Sequence, residues 1–140
     1  MSLTVFALAL SLAAAPVLGA VDLSAVQWKN RVLILFADAD DVRYGEQLGL
    51  LKAVADGLAE RDMLVLGVTA QDVTTIFGSV SGLDVDAVRK KAGANGGKPF
   101  EAVLIGKDGG VKQRWTTPVR PETLFAIIDA MPTRASELVR

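Results

Sequence analysis

Residues 98–115 constrain the fold of this chain more than any other stretch. Residues 102–105 are all apolar, which is typical of a buried strand. The Asp108-Gly109 pair that follows is typical of a tight hairpin turn. Residues 111–115 then predict a strand that returns antiparallel with one polar face. The stretch therefore predicts a strand pair in a sheet, and it indicates no activity.

A strand–helix–strand unit precedes this hairpin. Residues 31–37 contain an unbroken run of large apolar side chains, which favours a strand covered on both faces. One apolar helical face runs from Tyr44 to Leu58, and either Asp40 or Asp41 is a natural N-cap for that helix. Residues 63–68 form a second apolar run of strand length. This order predicts that the two strands are parallel.

The remaining elements complete one α/β domain. Residues 69–82 show no clear period and are predicted to be irregular. Asp84 then caps a short helix that the following glycines end, and Pro121 begins a final helix that Pro132 stops. Residues 133–140 are expected to fray. The order βαβ, crossover, ββα predicts a thioredoxin-like fold, a mixed sheet with flanking helices.

The N-terminal segment predicts an exported protein. Residues 1–20 carry no charged side chain and end in small residues after an apolar run, as secretory signal peptides do. A retained membrane anchor is the alternative, since the run approaches the length that spans a bilayer. We therefore expect a signal peptide at residues 1–20, a thioredoxin-like domain at residues 21–132, and a periplasmic or secreted location.

The absence of two residue types limits the chemistry. The 140 residues include no His and no Cys, which excludes disulfides, thiol redox catalysis and nucleophiles activated by His. With 15 Lys and Arg against 16 Asp and Glu, the near-neutral charge argues against nucleic acid or an acidic membrane surface as partner. We expect no cofactor and no catalytic residue.

Four stretches resemble a known family. They are Trp28-Lys29-Asn30-Arg31, residues 58–62, residues 105–112 and residues 128–132. They are similar to those of small exported bacterial proteins with a thioredoxin-like domain of unknown function. The same domain occurs in secreted animal proteins of the sushi-repeat and equarin type. The resemblance implies the fold and an exported location, but no settled activity, so it supplies no catalytic residue.

The junction after the first strand is where a catalytic residue would be expected if the domain were an enzyme. Thioredoxins and peroxiredoxins carry a reactive sulfur there, where a helix N-terminus lowers the pKa of a thiol. Residues 37–41 hold no sulfur but include Asp38 and Asp40. An Asp-x-Asp pair after a buried strand also fits magnesium-dependent phosphatases of the haloacid-dehalogenase type. Helix capping is the simpler explanation for these acids.

Several other side chains have a functional and a structural interpretation. Pro99 lies close to the position at which thioredoxin-like domains often have a cis-proline, although a trans peptide is the default. Trp28 and Trp115 are expected to close the edges of the core rather than to form an exposed patch. Arg31 and Arg114 are expected to be solvated charges at strand ends.

The favoured function is therefore a non-catalytic binding or envelope-associated module. Its partner is an unidentified protein or small molecule, with no membrane contact beyond the N-terminal segment. The alternative is a phosphoryl-transfer enzyme that uses Asp38 and Asp40 with magnesium. We expect no metal site in the favoured case.

Overall fold

The computed structural model describes residues 22–70, 72–93 and 97–139; the predicted signal peptide at residues 1–20 lies outside them. A 3₁₀ turn at Leu23–Val26 precedes the sheet. The strands are β1 (Arg31–Ala37), β2 (Met63–Val68), β3 (Val73–Phe77), β4 (Phe100–Ile105) and β5 (Val111–Trp115). The helices are α1 (Val42–Lys52), α2 (Ala55–Glu60), α3 (Val85–Ala92), α4 (Pro121–Asp129) and α5 (Pro132–Leu138). None of the helices in this part of the chain is long and apolar enough to cross a membrane.

The strands form one mixed sheet in the order β3-β2-β1-β4-β5. β1 and β2 are parallel, with Arg31 opposite Met63, which confirms the prediction for the strand–helix–strand unit. β4 runs antiparallel to β1, and β5 runs antiparallel to β4. The hairpin predicted at residues 98–115 is therefore confirmed, and it forms one edge of the sheet.

Two hydrophobic cores cover the two faces of the sheet, because successive side chains of a strand point to opposite faces. Leu33 of β1 packs in the core under α1, α2 and α4. Its neighbour Ile34 packs in the core under the 3₁₀ turn and α3. All residues of β1, β2 and β4 are buried. Burial on both faces explains why these strands are nearly continuous apolar runs.

The helix caps largely follow the sequence. Asp41 begins α1, and its Oδ1 accepts a hydrogen bond of 2.8 Å from the main-chain N of Arg43, one of the donors that a helix N-terminus leaves open. Asp84 begins α3, and Gly93 ends it with a φ of 86°. The predicted single helix after β1 is instead two helices, because Val54 has φ −124° and ψ 34° and leaves the helical region.

The segment predicted to be irregular, residues 69–82, contains the edge strand β3. β3 pairs antiparallel with β2, with Val73 opposite Val68 and Thr75 opposite Leu66. Its side chains are half-buried or exposed, so it lacks the apolar pattern that identifies β1 and β2. The prediction was wrong because pairing with β2, rather than burial, forms this strand, and its β-branched residues suit extended backbone.

The C-terminal segment predicted to fray is helical in its described part. Pro132 lies in the first turn of α5, where the missing N–H costs nothing, so it begins a helix after α4 has already ended. Arg134 is only 4% exposed, and its Nη1 donates a 3.1 Å hydrogen bond to the carbonyl oxygen of Glu60. The domain therefore extends beyond residue 132, and the prediction was wrong because charged side chains anchor this helix.

Candidate functional site

The junction between β1 and α1 contains the acids that the sequence singles out. Asp38 and Asp40 are both exposed. Their carboxylates make no hydrogen bond or ion pair within the described residues, whereas Asp41 caps α1 and bonds Arg43. Helix capping therefore explains Asp41 but leaves the carboxylates of Asp38 and Asp40 without a structural role.

The surroundings of these acids do not suit a phosphatase. A dehalogenase-type sheet needs a parallel strand where β4 lies, and β4 runs antiparallel to β1. Across residues 22–70, 72–93 and 97–139, no group of three or more side chains of the metal-binding types could hold a metal ion. The structure therefore gives no support to phosphoryl transfer by Asp38 and Asp40.

A crevice opens at this edge of the sheet. It has a volume of about 270 Å³ and lies between the last residues of β1, the last residues of β2 and the residues just before β4. These segments meet because β4 is antiparallel to β1, so that its first residues lie beside the C-terminal ends of the parallel strands. The charged side chains that line the crevice are Asp38, Arg89 and Lys98.

Arg89 of α3 is fixed at the wall of the crevice. Its Nη2 donates hydrogen bonds to the carbonyl oxygens of Thr69 at 2.7 Å and of Ala70 at 3.3 Å. Its guanidinium carbon lies 5.8 Å from the centre of the Phe36 ring, which is within the range of a cation–π contact. Arg89 therefore ties α3 to the end of β2 and holds a positive charge beside the crevice.

Pro99 also lines the crevice. The hypothesis of a cis-proline at this position is wrong, since the described residues contain no cis peptide bond. Residues 37–41 supply no thiol to the crevice, so the group on which thioredoxin and peroxiredoxin chemistry depends is missing from its usual position.

A second, more apolar cavity lies at the opposite end of β1. This Trp28 groove has a volume of about 460 Å³. Its apolar lining residues include Ile127, Met131 and Pro132, from α4 and the start of α5, and Lys107 of the hairpin loop lines it as well. The groove therefore combines apolar side chains from the C-terminal helices with the turn of the predicted hairpin.

Trp28 is unusual in both side chain and backbone. The residue is 65% exposed, and its φ of 69° lies in the left-handed region that bulky residues rarely adopt. A 2.7 Å hydrogen bond from its main-chain N to the carbonyl oxygen of Lys107 holds this conformation. The expectation that Trp28 closes a core edge was wrong, whereas Trp115 does pack against the core.

Buried charges lie beside the Trp28 groove. Arg31 is 0% exposed, and its Nη2 lies 3.2 Å from Oε2 of Glu137. Nζ of Lys107 contacts the same Oε2 at 2.7 Å and Oδ2 of Asp62 at 2.8 Å. The prediction that Arg31 is a solvated strand-end charge was wrong, because α5 covers it.

Glu137 is the centre of this ionic cluster. Burial alone would raise the pKa of Glu137, but the hydrogen bonds and charges of Lys107 and Arg31 outweigh burial and lower it to about 2. Thr133 accepts a 3.2 Å hydrogen bond from Nη2 of Arg31, and both Thr133 and Lys107 also line the groove. The cluster therefore positions one wall of the groove through α5.

The four stretches that carry the family resemblance meet around the groove. Residues 28–31 and 105–112 supply its indole and its hairpin loop, and residues 128–132 supply part of its apolar wall. Residues 58–62 reach the loop through the ion pair of Asp62. No local pattern in the sequence shows that these stretches are neighbours.

Comparison with known protein families identifies the family of this chain. Residues 22–137 match the family described as Domain of unknown function (DUF4174). The chain belongs to the DUF4174 family. The predicted resemblance to a domain of unknown function is thereby confirmed, and the match extends into α5. The bacterial origin and the link to sushi-repeat and equarin-type proteins stay predictions.

Among solved structures, this DUF4174 chain is similar to a crystal structure of a reduced 2-Cys peroxiredoxin from Plasmodium vivax. The TM-score is 0.55 at 20% sequence identity, and the match covers 81% of this chain and 84% of that chain. At this identity the likeness shows the fold alone, and it confirms the predicted thioredoxin-like fold. Comparison with curated proteins found no match.

Proposed function

We propose that this DUF4174 domain is a non-catalytic binding module that holds an apolar side chain of a partner protein in the Trp28 groove. The exposed indole of Trp28 carries the proposal. Leaving a large aromatic side chain in water forgoes about 2 kcal/mol of burial, and its left-handed backbone costs about 1–3 kcal/mol more. Both features coincide beside an apolar cavity, where a partner that covered the indole would recover the burial.

The size and charge of the groove indicate what the partner presents. A volume of about 460 Å³ has room for one large apolar side chain and its adjoining backbone. Lys107 and Lys112 are paired with carboxylates. Lys29, directly after Trp28, is exposed and makes no ion pair with any described residue. The partner segment is therefore expected to carry an acidic residue beside its apolar anchor.

The non-catalytic part of the proposal is supported by composition and by the crevice. The chain has no His and no Cys, so it lacks the side chains that most often act as base or nucleophile near neutral pH. Asp38 and Asp40 belong to no metal-binding group within the described ranges. Neither acid therefore has the neighbours that an enzymatic role would need.

Selection from a random peptide library, displayed on phage and presented to the whole protein, tests the groove. We expect the enriched peptides to share an aromatic or large aliphatic residue next to an acid. In calorimetric titrations of the selected peptides, Trp28→Ala is expected to weaken binding by about tenfold or more, and Lys29→Gln by a smaller factor.

Val42→Ala is the matched control for Trp28→Ala, because Val42 is 82% exposed and does not line the groove. This variant should bind the selected peptides like the wild type. Peptides that bind Trp28→Ala and the wild type equally well would show that the groove is not the binding site.

We also propose that the domain acts outside the cytoplasm, in the periplasm or as a secreted protein. The support is the uncharged, apolar sequence of residues 1–20. A fusion of residues 1–30 to alkaline phosphatase, which is active only after export, is expected to be active in a bacterial host. The matched fusion of residues 22–30, which lacks the N-terminal segment, should be inactive. The proposal is contradicted if the fusion of residues 1–30 is inactive as well.

A further inference from the structure

We infer that the crevice at the other end of β1 is a second binding site, which takes a small oxyanion such as a carboxylate or a phosphate through Arg89. This site is separate from the Trp28 groove and does not depend on the function proposed for it. It lies at the position of the missing thiol, but it needs no thiol for binding.

The position of the crevice in the sheet favours a ligand site. In open α/β sheets, ligands bind outside the carboxyl ends of the strands, at the point where the strand order changes direction. Here the chain passes from β1 to β2 on one side, and later places β4 on the other side of β1. The crevice is lined by residues from the ends of β1 and β2 and by those just before β4, so it occupies this point.

Arg89 has hydrogen-bonding capacity that the protein does not use. A guanidinium carries five N–H donors. Within the described residues only its Nη2 donates hydrogen bonds, to the carbonyl oxygens of Thr69 and Ala70. These two bonds explain why the side chain is held in place, but they leave the donors of Nε and Nη1 available. Fixed guanidinium donors are well suited to carboxylate and phosphate oxygens.

The size and charge of the crevice limit the ligand to a small anion. Its volume of about 270 Å³ lies slightly below the range of about 300–1,000 Å³ that is typical of drug-sized ligands. Of its described lining residues, Arg89 and Lys98 carry a positive charge and only Asp38 carries a negative one. Because Asp38 makes no ion pair with a described residue, its charge should repel a bound anion. Removing this charge should therefore increase the affinity for the anion.

Nuclear magnetic resonance titration of the whole protein tests the inference. The probes are sodium acetate and, separately, potassium phosphate, at an ionic strength held constant with chloride. We expect saturable shifts of the amide signals of Thr69 and Ala70 and of the Nε–H signal of Arg89. Saturation by acetate alone or by phosphate alone identifies the kind of oxyanion, and the absence of saturation with both overturns the inference.

Two variants distinguish a specific binding site from a general attraction of anions to the protein. Arg89→Met should weaken saturable binding by at least about tenfold. Lys90→Met removes an equal charge from an exposed position on the same helix and should change the affinity by less than about twofold. Equal losses in Arg89→Met and Lys90→Met, or unchanged binding in a folded Arg89→Met, contradict the inference.

If Arg89→Met does not fold, Asp38→Asn tests whether the crevice binds an oxyanion. Asp38 is exposed and its side chain makes no hydrogen bond within the described residues, so this variant is expected to fold normally. Removing the repulsion should tighten oxyanion binding by about threefold. Unchanged or weaker binding would mean that the crevice does not hold an anion near Asp38.

Discussion

Trp28 joins an exposed indole to a backbone conformation that glycine adopts more readily. Its φ of 69° brings the Cβ atom of an L-residue close to the backbone, a conflict that glycine avoids. We therefore expect Trp28→Gly to be more stable than Trp28→Ala by about 1 kcal/mol, although both variants lose the indole. Urea denaturation followed by circular dichroism measures the difference. An alanine variant as stable as the glycine variant would contradict this explanation.

Glu137 makes stability depend on pH at low pH. Burial raises the pKa of Glu137, yet Lys107 and Arg31 lower it to about 2, below the value of about 4.3 for an unfolded chain. Because the pKa of Glu137 is lower in the folded state than in the unfolded state, its ionised form stabilises the fold. This contribution to the free energy of unfolding is complete above about pH 4.3 and is lost as the pH falls towards about 2.

Glu137→Gln should lose this stabilisation. Near neutral pH the variant is expected to be less stable than the wild type by about 2 kcal/mol, and the gap should narrow as the pH falls from about 5 to about 2. Urea denaturation of both proteins across this range measures the gap. A gap that stays constant with pH would show that the charge of Glu137 is not what stabilises the fold.

Among the elements, α5 is held chiefly by charges. Nη2 of Arg134 lies 2.7 Å from Oε2 of Glu60, and its Nε lies 3.3 Å from Oδ1 of Asp129. Glu137, also on α5, forms ion pairs with Arg31 of β1 and with Lys107. The helix is therefore anchored to α2, α4 and β1 without an apolar face, and a hydrophobic pattern could not reveal it.

Deleting residues 132–140 tests the importance of α5. The deletion removes Glu137, which pairs with Arg31 and Lys107, together with the helix that covers Arg31. Water can then solvate the guanidinium, so the cost is that of the lost charged hydrogen bonds, about 2–3 kcal/mol, and we expect the truncated chain to be less stable than the full chain by about this amount. Deleting only residues 139–140 is the control, since Val139 is 84% exposed. Equal urea midpoints for the long and short deletions would contradict this role.

Across the whole molecule, the Trp28 groove and the crevice lie at opposite ends of β1. A strand of this length separates them by about 20 Å. β1 is buried between two cores, and among the described residues none lines both sites. We therefore expect no coupling: a saturating oxyanion should change the affinity for a selected peptide by less than about twofold. Calorimetric titration of the peptide with and without the anion measures this, and a change above about fivefold would show coupling.

Much of the fold could be predicted from local patterns. The unbroken apolar runs of β1 and β2 and the Asp108-Gly109 turn each identified an element, because burial on both faces and turn geometry leave a signal within a few residues. Asp84 was identified as a cap, and Asp41 as one of two candidate caps, for the same reason. The edge strand β3 and the break at Val54 were missed, since pairing with a neighbour and a local change of backbone angle leave no such signal.

The candidate sites were harder to predict, because their side chains come from distant parts of the chain. Trp28 was expected to be covered and Arg31 to be solvated; the reverse is true, since α5 reaches back over β1 and leaves the indole beside a groove. Asp38 was singled out from the sequence as a possible phosphatase acid, but Arg89 of α3, which lines the same crevice, was not singled out.

The amino-acid sequence alone was enough for the order of the strands other than β3, the parallel pair, the hairpin and the exclusion of thiol chemistry, because these depend on composition and on short-range patterns. Burial of Arg31, exposure of Trp28 and the assembly of both cavities depend on contacts between segments far apart in the chain. Such contacts follow from how the helices pack on the sheet. The same charged or aromatic residue is buried if a helix covers it and exposed if none does.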